Sequence, residues 1–165
     1  MERRELFSSL FSSKKKEEKE IITRPPYFDG EDSFYKGCVD CENTPCVTFC
    51  EENIIVILDD KTPKLDFSSG GCTYCDECAK ACCNDVLKIE NKKQINTSIE
   101  IDISKCLSWN QTMCFSCKDP CLDDAIVFFG MFKPIIDEEL CTNCGFCVNV
   151  CPSNAIYIKK VQKDD

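Results

Sequence analysis

Apolar residues in this chain gather in four short runs separated by long polar stretches: residues 54–58 (IIVIL), 86–90 (VLKIE), 125–129 (AIVFF) and 155–161 (AIYIKKV). Each run is rich in β-branched or aromatic residues, which predicts a short strand. Each also opens on an apolar pair: Ile54-Ile55, Val86-Leu87, Ala125-Ile126 and Ala155-Ile156. The same local pattern met four times predicts a repeated unit. The N-terminus follows a different period. Leu6, Phe7, Leu10 and Phe11 fall on one stripe of a two-turn helix, and Lys14/Glu18 and Lys16/Glu20 stand at i,i+4. Two readings of that arm stand, a solvated tail and a short amphipathic docking helix for a protein partner. The prolines of TRPPYF (23–28) favour extended backbone and mark its end, so residues 1–30 are read as an arm preceding the body.

The cysteines turn the repeat into chemistry. Of 17 cysteines, 16 form four quartets, each ending four residues before an apolar pair. They are Cys38, Cys41, Cys46 and Cys50; Cys72, Cys75, Cys78 and Cys82; Cys106, Cys114, Cys117 and Cys121; and Cys141, Cys144, Cys147 and Cys151. The last reads C-x2-C-x2-C-x3-C with Pro152 behind it. In the bacterial ferredoxin run of that form, three thiolates hold one [4Fe–4S] cube and the fourth holds the other cube of a pair. The first quartet expands one gap to x4 (CENTPC) and the third expands one to x7 (CLSWNQTMC); both keep the ligand count. Structural zinc favours two separated C-x2-4-C pairs, often with His, and this chain has no His. A disulfide scaffold suits a small secreted chain with an even cysteine count.

Four [4Fe–4S] cubes are therefore expected, and sequential pairing is the simplest topology. With the fourth cysteines crossing over, Cys82 joins the first triplet, Cys50 the second, Cys151 the third and Cys121 the fourth. The fold class expected is α+β: two tandem bacterial-ferredoxin-like (4Fe-4S) domains, residues 31–95 and 96–165, after the arm. Each repeat is expected to run from cysteine loop to a short helix starting near the fourth cysteine, then to a strand. Halves this small build only a marginal core unaided, so clusters serve as staples and stability should follow metal occupancy. Two single residues carry expectations of their own. Trp109, in the x7 loop, reads either as a cap that keeps water off a cluster or as a partner contact. Cys83 reads either as a small buried hydrophobe at a helix start or as a spare thiol for cluster exchange or redox sensing. Gly70-Gly71 reads as a turn before the second quartet.

Charge narrows the partners. The formal net charge is −9, and four cubes at −2 each would bring it to about −17. That disfavours nucleic acid. The charge is uneven: residues 1–24 hold seven Lys/Arg and five Asp/Glu, while the rest holds 13 and 24. No run approaches 18 apolar residues, so no membrane insertion is expected. Arg3-Arg4 is followed by serines and a Lys/Glu run rather than by the apolar stretch of an export signal. The expected compartment is the reducing cytoplasm. With no His for general-base work and no Gly-rich phosphate loop, a stand-alone enzyme is not expected.

The Arg-Arg arm, Arg24-Pro25-Pro26-Tyr27, the four quartets and above all the expanded CLSWNQTMCFSCKDPC together resemble the NapF-type ferredoxin-like accessory proteins of periplasmic nitrate reductase. The resemblance implies a cytoplasmic iron–sulfur protein that contacts the catalytic subunit of periplasmic nitrate reductase before export. It implies help with maturation of that subunit, by electron donation or cluster assembly. Two other readings stay open: a general soluble electron-transfer ferredoxin, and an electron-wire subunit of a larger oxidoreductase.

Overall fold

The computed structural model of the protein describes residues 22–159. The helix expected at Leu6–Phe11 lies outside the described residues. In chain order the elements are α1 (Glu31–Gly37), α2 (Pro45–Thr48), β1 (Ile55–Ile57), β2 (Pro63–Leu65), α3 (Glu77–Lys80), a 3-10 turn (Ile89–Asn91), β3 (Ser98–Ile101), β4 (Ile126–Phe129), β5 (Phe132–Ile136), α4 (Phe146–Asn149) and β6 (Ile156–Lys159). The content is mixed helix and strand, with every piece short.

Strand pairing follows one plan twice. β1 and β2 form an antiparallel hairpin with Ile55 opposite Leu65, and it is bracketed by an antiparallel bridge from Phe28 to Leu87. β4 and β5 form a second hairpin with Ile126 opposite Ile136, and it is bracketed by β3 paired to β6, Ile99 opposite Ile158. Buried apolar residues fall into two clusters. One is built on Tyr27, Phe34, Ile54, Phe67, Val86 and Ile95, the other on Ile99, Ile126, Ile156, Cys117 and Cys147. Val148 packs against both, and Ile158 of β6 packs against the first.

The apolar pairs are the roots of both clusters. Ile54, Ile55, Val86, Leu87, Ala125, Ile126, Ala155 and Ile156 are all buried. A left-handed residue aims each pair inward: Asn53 (φ 53), Asp85 (φ 56), Asp124 (φ 51) and Asn154 (φ 50) each stand three residues after a fourth cysteine. Asn and Asp are the non-glycine residues that tolerate this conformation best.

Several expectations change on contact with the structure. Residues 23–28 are buried in the body, not ahead of it. Tyr27 is 1% exposed and Arg24 3%, and the Arg24 guanidinium lies 4.7 Å from the centre of the Phe34 ring. Its Nη1 donates to Thr62 Oγ1 (2.8 Å) and to the Pro63 carbonyl (2.7 Å), and its Nε donates to Glu31 (3.1 Å). Run 86–90 pairs only at Leu87, because the facing Pro25 and Pro26 have no N–H to give; what crosses there are donations toward the proline segment, Lys88 N–H to Tyr27 O and Lys93 N–H to Pro26 O, both 2.8 Å. The one-turn helices carry the third cysteine and stop before the fourth: α2 holds Cys46, α3 Cys78 and α4 Cys147. Gly70 and Gly71 are buried and make no turn. A Cβ on Gly71 would sit 2.6 Å from the backbone nitrogen of Phe146, so glycine is required there by close approach.

Candidate iron–sulfur centres

The helices and the loops beside them deliver the sulfurs. α1 starts with Glu31 and Asp32 and ends with Lys36, charges that suit its dipole. Phe34 docks it on Phe28 at 4.9 Å between ring centres, and Cys38 closes it by donating its N–H to Phe34 O at 2.8 Å. The helices α2, α3 and α4 each follow a left-handed residue, Thr44, Asp76 and Gly145, which turns the loop so that the third cysteine faces inward. Cys78, Cys117 and Cys147 are buried.

The thiols gather across quartets. One cavity is lined by Cys72, Cys75 and Cys78 together with Cys50. A second is lined by Cys106, Cys114 and Cys117 together with Cys151. A third is lined by Cys141, Cys144 and Cys147 together with Cys121. For the first triplet the same grouping appears in its electrostatics. Burial pushes the Cys38 and Cys46 thiols up to about 11, and in both the next largest push comes from Cys82. Burial raises Cys72 to about 11 and Cys78 to about 12, with Cys50 adding to each. It raises Cys117 to about 12, with Cys106, Cys114 and Cys151 adding, and raises Cys147, where Cys144, Cys141, Cys117 and Cys121 contribute. Four thiolates so placed repel one another, and a cationic core removes that repulsion.

The donor set fits an iron–sulfur cube. All 17 cysteines are free thiols. Among the described residues, no three Cys, Asp or Glu side chains converge on a point that a single ion could occupy. A cube does not need such a point, since its four ligands bind separate corners; tetrahedral zinc holds its sulfurs at about 2.3 Å from one centre. Backbone amides also turn toward sulfur. Leu87 N–H donates to Cys82 Sγ (3.4 Å) and Ala155 N–H to Cys151 Sγ (3.2 Å). At Cys151 burial is outweighed by the amide of Ala155 and by Ser153, and the thiol falls below its ordinary value.

The second and fourth quartets touch. Cys72 N–H donates to Cys144 O at 2.7 Å. Tyr74 Oη donates to Thr142 O at 2.6 Å and accepts from Ile95 N–H at 3.1 Å. Gly71 lies against Phe146, and Gly145 against Phe67. Nothing in the spacing announced Tyr74; its signal is only an aromatic between two ligands of one loop. Trp109 does not line the cavity of the third quartet, where Leu107 and Pro134 stand instead. Its indole N–H needs an acceptor, finds Pro134 O at 3.0 Å, and so ties the x7 loop to β5. Cys83 is exposed, not a core residue. Ser108 Oγ is buried without a partner.

A family model described as "4Fe-4S binding domain" matches residues 134–157, which contain Cys141, Cys144, Cys147 and Cys151. The ferredoxin-type protein NapF of Haemophilus influenzae is 30% identical over 164 residues, covering 96% of this chain and 92% of its own length. NapF of Escherichia coli K12 is 30% identical over 137 residues, 81% of this chain and 82% of its own. The chain belongs to the NapF family of ferredoxin-type proteins. The NapG ferredoxin-type protein of Escherichia coli K12 is more distant, at 26% over 155 residues. As a NapF-family member the chain is an iron–sulfur protein. Among its described residues no helix is long and apolar enough to cross a membrane.

Proposed function

We propose that the protein holds four [4Fe–4S] cubes in two tandem ferredoxin-like halves and serves electron transfer in the maturation of periplasmic nitrate reductase. In this reading Cys38, Cys41, Cys46 and Cys82 hold one cube and Cys72, Cys75, Cys78 and Cys50 the second. Cys106, Cys114, Cys117 and Cys151 hold the third, and Cys141, Cys144, Cys147 and Cys121 the fourth. The observation that carries it is the crossing of thiols between neighbouring quartets, which is the ligation plan of a paired-cube ferredoxin. The two bracketed hairpins support a division near residues 95–98.

When bound, each cube supplies one-electron chemistry. The chain's own part is to hold the thiolates, bury the third cysteine of three of the four loops (Cys78, Cys117 and Cys147) and keep water from the sulfur. The apposition of Cys72 and Cys144 brings the loops of the second and fourth cages together across the two halves. A bundle of separate carriers has no need of that junction.

The partner in this reading is the catalytic subunit of the reductase, met in the cytoplasm before export, with residues 1–21 as the docking arm, because Thr23 and Arg24 belong to the body. The test is anaerobic capture with the tagged full chain and with a chain lacking residues 1–21. Co-purification of the signal-bearing reductase precursor, reduced by the deletion, supports the assignment. Four loaded cubes, undiminished reduction of unrelated acceptors and no precursor would make the protein a general soluble ferredoxin instead.

A further inference from the structure

The four cages differ at two equivalent positions, and the difference is chemical. Two residues after the second cysteine of each quartet stand Asn43, Glu77, Ser116 and Phe146. Two residues after the fourth stand Glu52, Asn84, Asp123 and Ser153. Sorted by cage, the Cys106/Cys114/Cys117/Cys151 cage receives a serine at both positions. The Cys72/Cys75/Cys78/Cys50 cage receives Glu77 and Glu52, and the Cys141/Cys144/Cys147/Cys121 cage receives Phe146 and Asp123. The cage of Cys38 receives two asparagines, of which Asn84 already spends its amide on Gly37 O at 2.7 Å.

The placement is physical as well as sequential. Ser116 and Ser153 both line the cavity of their cage, with Oγ at 3.7 Å from Cys114 Sγ and from Cys151 Sγ respectively. Glu52 lines the cavity of its cage and Asp123 lines that of its own. A cysteine that has lost its proton to bind iron can only accept, so each serine hydroxyl becomes the donor. Cys151 then receives two donors, Ser153 Oγ–H and the Ala155 amide at 3.2 Å. Reduction of a cube adds negative charge. Donors to sulfur stabilise that charge, and a neighbouring carboxylate opposes it.

We propose that Ser116 and Ser153 make the cube of Cys106, Cys114, Cys117 and Cys151 the one with the highest reduction potential in the chain. It is then the cube on which an electron rests. The inference rests on the four-cube reading above.

The test is an anaerobic redox titration of the full chain with dithionite, followed by electron paramagnetic resonance, on the parent, Ser116→Ala, Ser153→Ala and the double variant, with iron measured in each. In the double variant the highest midpoint should fall by at least tenfold in its redox equilibrium, about 59 mV for one electron, with the other midpoints unmoved. Ser153→Thr, which keeps a hydroxyl, should retain the parent midpoint, and it guards against a midpoint lost to altered folding. Full iron content with an unmoved highest midpoint would overturn the role of the serines. A parent chain that carries no cubes would overturn the underlying reading first, and the iron assay separates the two failures.

Discussion

Replacing Gly71 with alanine tests the junction between the second and fourth cysteine loops. The new Cβ would stand 2.6 Å from both the Cγ and the backbone nitrogen of Phe146, where carbon contacts settle at about 3.5–4.0 Å. Roughly an ångström of movement is needed. The ring alone cannot supply it, because the backbone nitrogen belongs to the first residue of α4, between Cys144 and Cys147. Overpacking of this kind costs about 1–3 kcal/mol, and weakening the bond from Cys72 N–H to Cys144 O adds up to about 1 kcal/mol. A loss of about 1–4 kcal/mol is expected from these two terms. Denaturant unfolding of the iron-loaded protein under anaerobic conditions, followed by visible absorbance, reads it as a lower midpoint. Gly30→Ala is the control: φ is −152 and nothing lies within 4 Å of its added Cβ. Equal midpoints for the two variants would refute the close approach of the loops.

Four further outcomes follow from the contacts described above. Arg24→Ala leaves the Pro63 carbonyl and Thr62 without their donor, and costs about 1–3 kcal/mol in the same unfolding experiment. Tyr74→Phe removes both the donor to Thr142 O and the acceptor of Ile95 N–H, with a loss of about 1–3 kcal/mol, and an unchanged midpoint would contradict the bridge. Protons compete with iron for thiols whose values are raised to about 11–12 by burial. Their neutral form is favoured at every lower pH, so iron loss to a chelator should grow as pH falls from about 8 to about 6. Far-ultraviolet circular dichroism should be lost together with the iron; retained native ellipticity after complete removal would mean that the cages are not the staples of the fold.

Much of the site was legible because the cysteine spacing is set by the ligand geometry itself. The apolar pair after each fourth cysteine is equally local, and all eight of its residues are buried. What escaped depends on partners distant in sequence. Residues 23–28 read as a boundary because two prolines favour extended backbone, yet their burial rests on Phe34, Thr62 and Leu87. The strand expected over 86–90 was undone by those same prolines across the sheet. Trp109 was read from its size, whereas the position of its indole follows from one carbonyl on β5. Gly71 carries no signal of close approach until Phe146 is beside it. Residues Asn53, Asp85, Asp124 and Asn154 were available in the sequence as a recurring Asn/Asp three places after the fourth cysteine; their meaning came only with their left-handed backbone.

The measurement closest to the central claim is the iron and acid-labile sulfide content of the anaerobically purified full chain, with Mössbauer spectra of the same sample. The account predicts about sixteen of each per chain, four per cube, and a spectrum of [4Fe–4S] centres alone. Eight or fewer irons from a folded, fully reconstituted chain, or zinc in their place, would contradict it.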